Sequence, residues 1–245
     1  MLRLASIAIL LGAWYMGSAL AGERMLPGPA AVVAAIVEET QSGTLPFHLA
    51  ATLARVLASF TLAMALGTAL GLLMGRVRLA DKLGDPWLVV LLNLPALVII
   101  ILAYVWGGLT ETAAIAAVAV NKLPNTIVTI REGARALDPA LDEMARVFAM
   151  PASKAIRHVV LPQIAPYFAA AARSGLSLVW KIVLVVELLG RPNGVGFEMG
   201  VAFQLFDVTR IIAYALVFVA VMLMIETLLV QPLERRVSRW RVRTA

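Results

Sequence analysis

An all-α, polytopic membrane protein with about six transmembrane helices is the fold that this sequence predicts, and three observations predict it. Of its 245 residues 61% are hydrophobic and only 15% charged, where a soluble domain sits near one half and roughly one quarter. The mean hydropathy is +0.89. Several apolar runs approach the roughly 20 residues that a helix needs to cross the hydrocarbon core, and nothing has the alternating pattern of an outer-membrane barrel.

Six spans are expected, at about Leu4–Ala21, His48–Gly75, Pro86–Trp106, Thr112–Ile130, Ala165–Leu189 and Arg210–Val230. Their connections obey a charge rule. One side holds Arg3; Arg76, Arg78 and Lys82; Arg131, Arg135, Arg146, Lys154 and Arg157; and Arg235, Arg236, Arg239, Arg241 and Arg243. The other holds Arg24, Arg191 and Arg210. Basic residues accumulate on the cytoplasmic side, so both termini are expected there. Because the net charge of +6 resides in these short loops and the C-terminal segment, it encodes orientation and does not imply a nucleic-acid partner.

Each element raises its own expectation. The first span can also be read as a signal peptide, with Ala19-Leu20-Ala21 as its cleavage site; one arginine is a thin n-region, which favours a retained helix. After it, Leu26-Pro27-Gly28-Pro29 reads as a rigid turn and Ala30–Thr40 as a short helix on the outer surface. In the second span Gly67, Gly71 and Gly75, with Ala63 a step earlier, make a small-residue face. Such a face lets another backbone approach closely, within the chain or from a second protomer. Asn93-Leu94-Pro95 and Pro124-Asn125 are expected to interrupt the third and fourth spans, as packing kinks or along a water-filled path.

Four charges inside spans are candidates for a translocation path: Arg55 in span two, and Arg173, Lys181 and Glu187 in span five. Charge at membrane depth usually faces protein or a cavity. Arg173 and Lys181 lie roughly 80° apart around a helix and can border one face, whereas Lys181 and Glu187 point apart, so Glu187 either has a partner on another helix or lies near the outer boundary. Structural ion pairing or snorkelling competes with the path reading for all four.

Between spans four and five lies DEMARVFAMPASKAIRHVVLPQIAP, from Asp142 to Pro166. Asp138-Pro139 suits a helix start. Leu141, Met144, Ala145 and Phe148 then form one apolar stripe. A stop at Met150-Pro151 leaves about 11 residues, ~16 Å, too short to span. Ser153–Val160 follows as a second short helix, broken by Leu161-Pro162. An amphipathic pair of this kind fits a helix lying on headgroups or a knob seated in a soluble partner.

This segment resembles the cytoplasmic loop of permeases of binding-protein-dependent ABC importers, E-A-A-x₃-G-x₉-I-x-L-P. Glu143-Met144-Ala145, then Ala149 at the glycine position, then Val159 and Leu161-Pro162 reproduce its order and spacing, with Met144, Ala149 and Val159 as departures. Leu26-Pro27-Gly28-Pro29, Thr52-Leu53-Ala54-Arg55-Val56, Pro124-Asn125-Thr126 with Gly133, and Glu187 followed by Gly194-Val195-Gly196 are similar to the nitrate, sulfonate and taurine branch.

What the resemblance implies is a single permease domain, 1–245, with a coupling loop at about 138–162, in a bacterial inner membrane. Glu143, Met144, Ala145, Ala149, Val159, Leu161 and Pro162 would dock cytoplasmic ATP-binding subunits, which hold the ATP and Mg. A periplasmic or extracellular substrate-binding protein would deliver the cargo, and a second permease copy would complete a homodimer surrounded by membrane lipid. The chain itself is expected to be non-catalytic, without cofactor or metal; it has no Gly-Lys pair and hence no phosphate-binding loop. A sulfonate, taurine or nitrate is the expected cargo, with a thiamine-precursor-type cargo as a further possibility.

Other classes fit less well. An ion-coupled secondary transporter would use Glu187 as its titrating group, but no inverted repeat is visible. A membrane hydrolase lacks its parts: there is no cysteine, His48 and His158 are expected on opposite faces, and Ser174 and Ser177 have no nearby base.

Overall fold

The computed structural model describes residues 2–232, apart from the side chains of residues 2–4 and 229, and every regular element among them is helical. Arg235, Arg236, Arg239, Arg241, Arg243 and the side chain of Arg3, counted above for orientation, lie outside the described residues. Helix α1 covers Leu2–Ala21, α2 Pro29–Gln41, α3 Thr44–Arg76, α4 Arg78–Asn93, α5 Ala96–Gly107 and α6 Glu111–Arg135. Then come α7 Pro139–Val147, α8 Ala152–Ala155, α9 Leu161–Gly190, α10 Val195–Gln204 and α11 Val208–Ile225. Single π-turns at Ile156–Val160 and Glu226–Val230 follow α8 and α11.

Three expectations about the spans need correction. Among the described residues four helical stretches are long and apolar enough to cross a membrane, α3, α6, α8 continued through α9, and α11, or five if the bent pair α4 and α5 makes one span. The third expected span begins earlier than Pro86, which lies inside α4, and it is interrupted as expected at Asn93-Leu94-Pro95, where α4 and α5 meet at 101°. At 16 and 12 residues neither is long enough alone. Pro124, expected to break span four, sits inside a continuous α6. Around it Asn121, Thr126 and Thr129 donate side-chain hydrogen bonds to the carbonyls of Ala117, Lys122 and Asn125.

The third correction concerns Leu161-Pro162, which does not break the chain either. Ala152–Gly190 is one continuous helix of 39 residues, because the π-turn at Ile156–Val160 widens the coil just before Pro162. The Leu161 amide reaches back to the Ile156 carbonyl. A proline ring clashes with the carbonyl four residues earlier in a regular helix, and the wider turn relieves that clash.

The chain forms two compact units, Met1–Arg55 with Val183–Met224 and Val56–Ile182 with Ile225–Ala245, with α3 and α9 contributing to both. In the first, the Trp14 indole N–H donates to the Pro27 carbonyl at 3.0 Å, tying α1 to the Pro27-Gly28-Pro29 turn. Val32 of α2, and Ala213, Tyr214 and Phe218 of α11, are buried there. In the second, α6 is the central helix. A methyl group on Gly67, Gly71 or Gly75 would come within 3 Å of Thr126, Ile130 and Ala134 respectively. The glycine face of α3 is therefore filled by α6 of the same chain, in parallel register. On its other side α6 presents Gly133 to Tyr167 and Lys122 to Gly175 of α9.

Candidate functional site

In the hairpin between α6 and α9, Asp138 caps α7 by accepting the Ala140 amide at 2.9 Å, and Pro139 occupies the first turn. The helix ends at Val147, earlier than Met150-Pro151 suggested. Ala149 adopts φ +47°, the Met150 amide reaches the Ala145 carbonyl at 2.9 Å, and the Ala149 amide reaches Arg146 at 2.9 Å. This is the Schellman ending, whose left-handed position ordinarily holds glycine. Alanine at the family's glycine position thus keeps the turn tight and bears the backbone strain itself.

The hairpin residues fall into two sets. Ala145 and Val159 are buried, as its footing on the bundle, while Glu143, Met144, Ala149, Leu161 and Pro162 are exposed. Of the predicted apolar stripe, Leu141, Met144 and Phe148 face solvent, joined by Val147, which the stripe had omitted; Val147 is 82% exposed and Phe148 74%. Arg76 at the end of α3 contacts Asp142 through both guanidinium nitrogens, at 2.6 and 3.4 Å. The Asp138 amide donates to Gln163 of α9 at 2.9 Å. Rigid contacts therefore run from the hairpin into two long helices.

Arg55 and Glu187 meet each other. Arg55 Nη1 lies 2.8 Å from Glu187 Oε1 in a pair whose side chains are 5% and 0% exposed. The same nitrogen donates to the Asn193 carbonyl at 2.8 Å, and Nη2 donates to the Asn193 side-chain oxygen. Glu187 Oε2 accepts from Thr52 Oγ1 and from the Gly196 amide, each at 2.9 Å. The Val195 amide donates to Thr52 Oγ1 at 2.8 Å and the Gly194 amide to His48 Nδ1 at 2.9 Å. Three successive amides at the start of α10 are thus held by side chains of α3 and α9, and the carboxylate occupies a position that a helix N-terminus favours. Gly194, at φ +117°, leaves room for this: a methyl group there would sit 2.3 Å from the Glu187 carboxyl carbon.

A second chain of charges, missed in the sequence, adjoins the first. With Nδ1 accepting, the His48 imidazole presents Nε2–H to Glu198 at 3.1 Å. Arg210 bridges Glu198 at 3.2 Å and Glu39 at 2.9 Å, and the Tyr214 hydroxyl donates to Glu39 at 2.9 Å. These residues are 175 positions apart at the extremes, and no sequence spacing could have joined them.

Arg173 and Lys181 lie elsewhere. Both are exposed on α9, together with Ser174 and Ser177, and Arg173 Nε stands 3.6 Å from Glu226. Lys122, not among the predicted site residues, is 1% exposed.

Helices of membrane-spanning length, a hairpin with an exposed apolar tip, and an ion pair buried between long apolar helices are features of the permease class of transport proteins. The profile of the family of binding-protein-dependent transport system inner membrane components matches residues 67–239, and the chain belongs to that family. It is the permease subunit of an ABC transporter. A Brucella abortus protein named as an ABC transporter permease is 31% identical, over 99% of this chain and 96% of its own length. SsuC of Escherichia coli, named for aliphatic sulfonates transport, is 32% identical over 93% of this chain and 87% of its own. Permeases named for riboflavin (Chloroflexus aurantiacus, 33% identical), taurine and nitrate transport are also similar. Among solved structures, a chain of the inward-facing MetNI methionine ABC transporter superposes with a TM-score of 0.67 at 19% identity, covering 81% of this chain and 98% of that one; it shares the fold.

Proposed function

We propose that this permease imports a small anion, a sulfonate, taurine or nitrate, as one half of a homodimer. The observation that carries this reading is the exposed polar face of α9, with Arg173, Ser174, Ser177 and Lys181 in an otherwise apolar helix. A charge turned to lipid near mid-membrane costs about 2.5–3.5 kcal/mol. A second permease copy with a water-filled path along this face removes that cost, and cations on the path suit an anionic cargo. Relatives named for sulfonates, taurine and nitrate support the choice.

The whole chain then works as one permease domain with both termini in the cytoplasm. Cytoplasmic ATP-binding subunits, which hold the ATP and Mg, dock on the 138–162 hairpin through Glu143, Met144, Ala149, Leu161 and Pro162, with Ala145 and Val159 as footing. Exposed Val147 and Phe148 are further docking contacts, of the kind expected of an amphipathic helix that seats in a groove. Closure of those subunits moves the hairpin, and Arg76–Asp142 and Asp138–Gln163 carry the motion into α3 and α9. A substrate-binding protein delivers cargo to the opposite face.

Affinity purification from native cells tests the assembly: stoichiometric recovery of an ATPase is expected, and recovery of the chain alone, folded and transport-competent, refutes it. Glu143→Arg should reduce ATPase recovery while leaving the chain folded. Uptake of taurine, an alkanesulfonate and nitrate, compared with a strain lacking the chain, tests the cargo; no difference for any of the three refutes it.

A further inference from the structure

Lys122 on α6 is a buried charge outside both the hairpin and the Arg55–Glu187 network. Its stem lies across the bare backbone of Gly175 on α9: a methyl group there would sit 2.0 Å from Lys122 Cε and 2.6 Å from Nζ. The register that sets Gly67, Gly71 and Gly75 against Thr126, Ile130 and Ala134 brings Ala63 opposite Lys122. Neither Gly175 nor Ala63 has a polar side-chain atom. Among the described residues no hydrogen bond or ion pair of the Lys122 side chain is seen, although its ammonium is not one of the polar atoms sealed from solvent. Arg173, by contrast, has Glu226 nearby.

A buried charge without a partner is expensive and is kept where a function requires it. The position of Lys122 suggests which function. Ser174, next to Gly175, lies on the exposed polar face of α9, and a lysine head on a flexible four-carbon stem can swing toward that face once the two helices part. Gly175, having no side chain, leaves the way open.

We infer that Lys122 is a concealed binding group for the oxyanion head of the cargo, a sulfonate or nitrate. It rests over Gly175 in the state seen here and pairs with the anion when the seam between α6 and α9 loosens. This rests on the anionic-cargo reading above and adds to it the residue that supplies the counter-charge. The ammonium meets its partner only when cargo is present, so the anion stabilises the loosened seam and the empty transporter returns to the packed one.

The test uses the assembled transporter, permease with its ATP-binding subunits, in thermal unfolding against rising methanesulfonate and nitrate, with ionic strength held constant by chloride. The wild type should gain several degrees in midpoint, and Lys122→Met should gain none. Gly175→Ala, which displaces the lysine from its seat, should raise the apparent anion affinity by about threefold or more, the effect of removing a closed competing state. Uptake of labelled taurine by Lys122→Met should fall by about tenfold or more, as for loss of a charge-assisted contact.

A wild type without an anion-dependent shift overturns the inference, as does a Lys122→Met variant that titrates and transports like wild type. Should Lys122→Met fail to assemble, Gly175→Ala decides, and an unchanged titration there overturns the inference. If the wild type imports none of the three anions yet shows a shift that Lys122→Met abolishes, the cargo reading fails and the anion site stands.

Discussion

Glu187 and Lys122 are both buried ionisable side chains on membrane-spanning helices, 0% and 1% exposed, and their surroundings could hardly differ more. Glu187 has Arg55, Thr52 and the Gly196 amide around its two oxygens. Lys122 has a glycine backbone beneath it and an alanine across from it. The first is a finished structural joint that fixes the start of α10. The second is unfinished within the chain. Depth in the membrane therefore does not assign a role to a charge; the completeness of its partners does.

Substitutions should separate the two sites sharply. The largest effect is expected at the finished joint: Arg55→Met leaves Glu187 buried and unpaired, and should cost about 3–5 kcal/mol, the usual penalty for breaking a buried pair. A fall in unfolding midpoint and loss of the folded chain on size-exclusion chromatography would register it. Lys122→Met, measured without added anion, should leave the midpoint unchanged or raise it, because it removes an uncompensated buried charge. Equal destabilisation by both variants would erase the distinction between them.

Smaller effects are expected at the hairpin. Ala149→Gly should stabilise by about 1 kcal/mol, since glycine occupies the left-handed region without the Cβ penalty; a rise in midpoint with unchanged helicity is the readout. Arg76→Ala, breaking a partly exposed contact with Asp142, should cost no more than about 1 kcal/mol. Its larger consequence, if the hairpin transmits motion, is a weaker stimulation of ATP hydrolysis by the loaded binding protein. A variant with full stimulation would remove Arg76 from the transmission route.

Local patterns account for what could be read directly. Asp138-Pro139 forecast the cap and first turn of α7, and the hairpin spacing from Glu143 to Pro162 matched the family to which the chain belongs. Angles along one helix left Glu187 either a partner on another helix or a place near the outer boundary, and Arg55 of α3 is that partner. Proline was the least reliable guide. It marks the bend between α4 and α5 but breaks neither α6 nor the start of α9, where a π-turn just before Pro162 relieves the clash of its ring.

Hydropathy along the chain, loop charge and short-range spacing determined the membrane class, the helical elements and the hairpin, since each depends on neighbours within a few turns. Only the tertiary structure decided that Arg55 belongs to Glu187, that the glycine face of α3 is filled by α6, and that Lys122 is buried without a counter-charge. Those outcomes join residues as far as 132 positions apart, and which helices meet, and in what register, is set by packing that no local pattern encodes.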